Sequence, residues 1–185
     1  MSQNLINKPV WTYEDYCVLP QDFNRHEIIE GDHMMTPSPT FRHQRILKNL
    51  QFVVEGHIRS RDLGTLLPAP MDVLFAPTSV VQPDLLFIKQ ERLHIVTETN
   101  IQGAPDLVVE VLSSSSAAID RGGKMLLYAK YVVPHYWIAD SDRLTLEMYE
   151  LEGEKYRLAA QFGKVDRAQS PLFPGLVIPV AELER

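Results

Sequence analysis

The sequence contains one cysteine, Cys17. No internal disulfide can brace the chain, so a reducing, cytoplasmic compartment is the expectation. No stretch approaches about 18 consecutive apolar residues, and no membrane-spanning helix is expected. The start, Met1 to Lys8, shows neither an apolar core nor a small-residue cleavage site, so no targeting segment is read there. Internal repeats are absent, and Ser113 to Ser116 is the longest low-complexity tract, short enough to be a turn. One Cys and six scattered His give no pair with zinc-finger spacing. There is no Gly-x-Ser-x-Gly elbow, Walker loop or dinucleotide fingerprint. Ser113 to Ser116 has no triad partner that can be placed beside it.

What is present is ordinary for a globular chain. Of 185 residues, 45% are hydrophobic, 23% charged and 9% aromatic, which excludes disordered, collagen-like and coiled-coil classes. The length predicts one domain over residues 1–185, large enough to bury about 70% of the surface its unfolded form exposes. The net charge of −6 excludes a wholly basic surface but leaves room for a local basic patch.

A short helix is predicted over Tyr13 to Val18, capped by Thr12 and stopped at Pro20. Arg25 to Met35 reads as a hairpin around Gly31. Ser38-Pro39 opens the clearest helix, with Pro near its first position. Ile46, Leu47, Leu50, Val53, Val54 and Ile58 recur along one face of it, and Gly64 is read as its end. Strands are expected at Thr65 to Phe75, interrupted by Pro68 and Pro70, at Val80 to Ile88 and at Leu107 to Leu112. A helix follows over Ala117 to Tyr131, then a strand at His135 to Ala139. Leu144 to Glu150 and Lys155 to Gln161 form a hairpin turning at Glu152 to Glu154. The tail, with Pro171, Pro174 and Pro179, reads as an extended wrap. This order predicts an α/β or α+β sheet covered by helices.

Charges interrupt the pattern where burial is expected. Asp106 to Leu112 is a nearly continuous apolar run, the mark of a strand covered on both faces, and Glu110 sits within it. An unpaired carboxylate there would cost several kcal/mol, roughly, unless its charge is met or its pKa rises. Val80 to Ile88 repeats the anomaly at Asp84, which alternation would put on one face with Gln82, Leu86 and Ile88. Pro83 requires a bulge, a strand start or an edge there, and Asp84 could also be a turn residue. Lys124 lies at helical spacing from Asp120, Leu127, Tyr128 and Tyr131. It is either a solvated i, i+4 partner of Asp120 or the cation that answers Glu110. Two carboxylates on neighbouring strands with a lysine suit a hard divalent cation. Such a cation activates water and neutralises a phosphodiester, while the lysine orients water or stabilises charge.

Gln82-Pro83-Asp84, Glu110-Val111-Leu112-Ser113, Asp120-Arg121 and Lys124 together resemble the active-site series of the PD-(D/E)XK nuclease superfamily. In particular they resemble the Uma family (Uma-two) of bacterial putative restriction endonucleases. The superfamily lysine two residues after the acid is replaced here by Leu112, and the resemblance implies its relocation to Lys124. His26 to Gly31, Pro37-Ser38-Pro39 with His43, Gly103 to Leu107 and Val133 to Ile138 extend the likeness from about residue 11 to the C-terminus. His26 stands where the family often has tyrosine, and Ser114 where proline is common.

The resemblance implies a restriction endonuclease-like fold. This is a central mixed sheet flanked by helices, one of them Phe41 to Ser60, with extra strands at both ends. It also implies Mg²⁺ or Mn²⁺ held by Asp84 and Glu110, Lys124 positioning water or stabilising charge, and hydrolysis of DNA. Glu27 and His43 could join the catalytic set; the plainer alternatives are a solvent-facing strand end and a hydrogen-bonded core histidine.

For substrate contact the candidates are Gln82, Arg42 and Arg45. Arg42, Arg45, Lys48, Arg59 and Arg61 oppose only Glu55 between Phe41 and Arg61. That segment carries +4 and leaves −10 on the remainder of the chain. It reads either as a stripe for phosphates or as a solvated helix face. A homodimer is the assembly suggested by analogy, since cutting two strands needs two sites. A reading from a different class is a catalytically silent nuclease fold used as a binding or interaction module.

Overall fold

Thr12 caps the first helix, α1 (Tyr13–Cys17). Its hydroxyl accepts from the Asp15 N–H, while the Asp15 carboxylate accepts from the Thr12 N–H at 2.9 Å. The computed structural model describes residues 9–20, 22, 24–113 and 116–185. The start, Met1 to Lys8, and Ser114 lie outside the described residues.

Strands β1 (Arg25–Ile29) and β2 (Asp32–Thr36) form the expected hairpin, with Gly31 at φ +82° in its turn. Helix α2 (Phe41–Arg59) begins two residues later than Pro39 predicts. Thr40 is the cap, its hydroxyl accepting from the His43 N–H at 3.2 Å, so Pro39 lies just outside the helix. Its buried stripe runs His43, Ile46, Leu47, Leu50, Val54, His57 and Ile58. The helix ends at Arg59, not at Gly64. Gly64 instead opens β3 (Gly64–Pro68), where an added Cβ would come within 2.1 Å of the Ile88 carbonyl oxygen.

The prolines divide chain between two sheets more sharply than the sequence reading expected. Thr65 to Phe75 becomes β3 and β4 (Asp72–Ala76), which belong to different sheets. Val80 to Ile88 is likewise not one strand. It splits into β5 (Ser79–Val81) and β6 (Leu85–Lys89), again in different sheets, with Gln82-Pro83-Asp84 crossing between them. Pro83 has no N–H for a ladder, which accounts for the break. A 3₁₀ turn at Gln90–Ile95 and strand β7 (Asn100–Gln102) follow, neither anticipated from sequence.

Strand β8 (Leu107–Leu112) leads into a helix of three joined parts. These are α3 (Ala117–Ile119), a π turn at Asp120–Lys124, and α4 (Met125–Lys130). Then come β9 (His135–Asp140), β10 (Thr145–Glu152), β11 (Lys155–Phe162), and the short pair β12 (Arg167–Ala168) and β13 (Ile178–Pro179).

The six-stranded sheet has the order β11-β10-β9-β8-β6-β3, and the five-stranded sheet β2-β1-β5-β4-β7. Both are mixed: β8 runs parallel to β9, and β4 parallel to β7. Alternation along β8 sends Leu107, Val109 and Val111 towards α2 and the tail residues Phe173, Leu176 and Ile178. Val108 and Leu112 turn the other way, towards α4 and the five-stranded sheet. The result is a mixed α+β architecture with two apolar layers, and β8 buried between them. Among the described residues no helix is long and apolar enough to cross a membrane.

Candidate active site

The alternation that buries Val108 and Leu112 carries Glu110 onto the same face of β8, where it is 1% exposed. Two donors meet its Oε1: the Tyr128 hydroxyl at 2.7 Å and the Lys124 ammonium at 3.0 Å. No hydrogen bond to its Oε2 is found among the described residues.

Asp84 reaches the same place from the chain crossing. The β6–β8 register pairs Leu85 with Val109. Continuing it puts Asp84 opposite Glu110 and Pro83 opposite Val111. The Val111 N–H therefore lies beyond the ladder, and Asp84 Oδ2 accepts it at 2.8 Å. The same oxygen accepts from His43 Nε2 at 3.0 Å, and Oδ1 accepts from Arg25 at 2.9 Å. Nε2 is the ring nitrogen placed to donate, and His43 Nδ1 has no hydrogen-bond partner among the described residues. Burial alone would push the Asp84 carboxyl up. The His43 hydrogen bond, the Arg25 charge and the Val111 N–H outweigh it and hold Asp84 at about 2.

Lys124 ends the π turn, in which Gly122 and Gly123 supply weak helix propensity. The widened turn points both Asp120 and Lys124 inward, each 3% exposed. The ammonium donates to Glu27 Oε1 at 2.9 Å and to Glu110, with Asp120 at 3.8 Å. Glu27 is fixed in turn by the Gln82 N–H at 2.8 Å.

Three acids thus share one ammonium. Burial, only partly countered by Lys124 and reinforced by Asp120, Asp84 and Glu27, raises Glu110 to about 8. Asp120 is also raised, by burial first. Burial would lower Lys124, but the charges of Glu110, Glu27 and Asp120 win and raise it, so it remains an ammonium. The directions agree: the cluster holds more negative charge than its lysine satisfies, and a proton on Glu110 makes up the difference.

The structure brings Asp84, Glu110, Lys124, Glu27 and His43 around one cavity of about 60 Å³, room for a few waters. Asp120, from the series that carries the family resemblance, lines it as well, as does Arg25, and Tyr128 reaches the site through Glu110; neither Arg25 nor Tyr128 is among the sequence candidates. Arg25 lies two residues before Glu27 on one strand, and Tyr128 lies four residues after Lys124, so spacing could have found them. Gln82 contributes its backbone, while its side chain turns to Tyr16 and Asp72 at 3.0 and 2.8 Å. Arg42 and Arg45 do not line the cavity: Arg42 pairs with Glu184 at 2.9 Å, and Arg45 lies over the Phe41 ring.

The oxygen-rich donor set fits a hard cation, with the free Glu110 Oε2 as the clearest ligand atom. Among the described residues no three acidic, His or Cys side chains form a ready cage. Two carboxylates with waters and a substrate phosphate would be enough for Mg²⁺.

The sequence profile of the family described as "Putative restriction endonuclease" (Uma2) matches residues 12–181. The chain belongs to this family. No curated protein matches. Among solved structures, the fold of this Uma2 member is similar to that of a putative nuclease belonging to DUF820 from Anabaena variabilis ATCC 29413. That match has a TM-score of 0.77 and 20% identity, over 93% of this chain and 96% of the other. The likeness identifies the fold as one shared with that protein, consistent with the restriction endonuclease-like expectation.

Proposed function

We propose that the chain is a divalent-metal-dependent endonuclease that hydrolyses phosphodiester bonds in DNA. The observation that carries the reading is the convergence of Asp84, Glu110 and Lys124 on one small cavity, with Glu110 Oε2 free. The family description, which names restriction endonucleases, supports a nucleic-acid substrate.

Asp84 and Glu110 would hold Mg²⁺ or Mn²⁺. When bound, such a cation lowers the pKa of a coordinated water and neutralises charge on the phosphodiester. The chain's own residues do the rest. Arg25, His43 and the Val111 N–H keep Asp84 ionised and fixed in direction. Tyr128 and Lys124 hold Glu110 Oε1, leaving Oε2 to face a ligand. Lys124 positions water or stabilises charge on the phosphate, and Glu27 anchors the ammonium.

The test is calorimetric titration of Mn²⁺ into the folded chain, beside Asp84→Asn, Glu110→Gln and Lys124→Gln, each first checked for native circular dichroism. Binding is expected in the parent and in Lys124→Gln, and is expected to be lost in the two acid variants. DNA cleavage should be lost in all three. Mn²⁺ binding that survives both acid substitutions would overturn the ligand assignment. DNA binding without cleavage at any divalent cation would favour the silent binding module.

A further inference from the structure

A second cavity, of about 380 Å³, adjoins the first: Arg25, Pro37, Ser38 and Pro39 line both. It runs outward between α2 and the Pro68-Ala69-Pro70 bend. From α2 it takes Gln44, Leu47, Lys48 and Gln51, spaced at three and four residues and therefore on one face of the helix.

Nothing among the described residues engages these polar side chains. Among the described residues Lys48 makes no ion pair, and the side chains of Gln44 and Gln51 make no hydrogen bond. Of the neighbouring arginines, Arg42 is committed to Glu184 and Asp142, Arg59 to Glu55 and Arg25 to Asp84, while Arg45 lies over the Phe41 ring and does not line the groove. A cation already neutralised by a carboxylate has little to offer a phosphate, whereas an unpaired, exposed lysine does. Unpaired amides beside it offer donors and acceptors to sugars and base edges, and the prolines of the bend give apolar surface for a base or sugar to lie against. The acidic group at this rim, Asp22, is engaged by His26 and Asn24.

We propose that this groove holds the nucleic-acid strand next to the phosphate being cleaved, with Lys48 on a backbone phosphate and Gln44 and Gln51 beside its sugar or base. The inference rests on the nuclease reading and adds to it a strand path, leaving α2 along the Gln44–Lys48–Gln51 face. It predicts that the working positive charge of α2 is Lys48, and not the more numerous arginines.

The test uses fluorescence anisotropy with a labelled mixed-sequence DNA duplex and its separated strands. The full chain carries Lys124→Gln, which is expected to stop cleavage while leaving the cation site intact, and Mg²⁺ is present. Lys48→Glu is compared with Arg59→Glu, which makes the same change of charge on the same helix outside the groove. Lys48→Glu is expected to weaken binding by about tenfold or more and to reduce the salt slope by about one. Arg59→Glu is expected to change affinity less than about twofold, the scale of losing an exposed ion pair. Equal losses from both, or no loss from Lys48→Glu, would overturn the groove while leaving the nuclease reading in place. Failure of the parent to bind either form of DNA would remove the nuclease reading and the groove together.

Discussion

Arg25 donates to Asp84 at 2.9 Å, joining a strand of the five-stranded sheet to the residue that leads into β6 of the other. Asp84 is almost wholly buried, so this pair sets both the carboxylate's charge and its direction. Its carboxyl is lowered to about 2 from an ordinary 3.8. The native state therefore binds that proton less tightly than the unfolded chain. The stabilisation is fully present above pH ~4 and is lost as the pH falls towards ~2, on the order of 2 kcal/mol in all. Arg25→Met should cost about 2–4 kcal/mol at neutral pH, because it strips a buried carboxylate of a charge partner. It should also flatten the acid loss. Urea unfolding of parent and variant across that range checks both, and an unchanged acid limb would show that Arg25 does not control Asp84.

Glu110 has the opposite sign. Its carboxyl is raised to about 8 from 4.5, so the native state binds the proton more tightly than the unfolded chain. The contribution is complete below pH ~4.5 and is lost as the pH rises through ~8. Glu110→Gln has no proton to lose. Relative to the parent it should gain on the order of 1 kcal/mol per pH unit through that window. Parallel stability curves for the two proteins would mean that Glu110 is ionised throughout.

Much of the fold was legible because its signals are local. Thr12, the Gly31 turn and the apolar stripe from Ile46 to Ile58 announce their elements directly, and Glu110 in a continuous apolar run announces a buried charge. What was not legible depends on the second sheet. Alternation along Val80 to Ile88 is real for β6, but it cannot show that the chain leaves one sheet at Val81 and enters another at Leu85. Asp84 accordingly satisfies both readings offered for it: it lies outside a strand, just after Pro83, and it is buried. Arg25 was missed for the same reason. Its spacing from Glu27 puts the two on one face of their strand, but does not show that this face meets Asp84.

Arg42 was read from sequence as a substrate contact, and its geometry gives it a different occupation. It joins α2 to the 3₁₀ turn at Val180–Glu184 through Glu184, and it also faces Asp142 at 3.7 Å. Arg42→Ala is expected to cost about 0.5–1 kcal/mol of stability, the scale of a half-exposed ion pair. It should move DNA affinity less than Lys48→Ala does. A larger loss of DNA affinity from Arg42→Ala would restore it to the substrate path.

The crossing at Gln82-Pro83-Asp84 makes the site a seam between two bodies. Glu27 and Arg25 arrive on one sheet, Glu110 on the other, and Asp84 on the three-residue stitch between them. Neither sheet possesses the site. Any relative slip of the two would open the Arg25–Asp84 and Glu27–Lys124 contacts together with the apolar layer that the sheets share, so the charged cluster doubles as a rivet in their alignment.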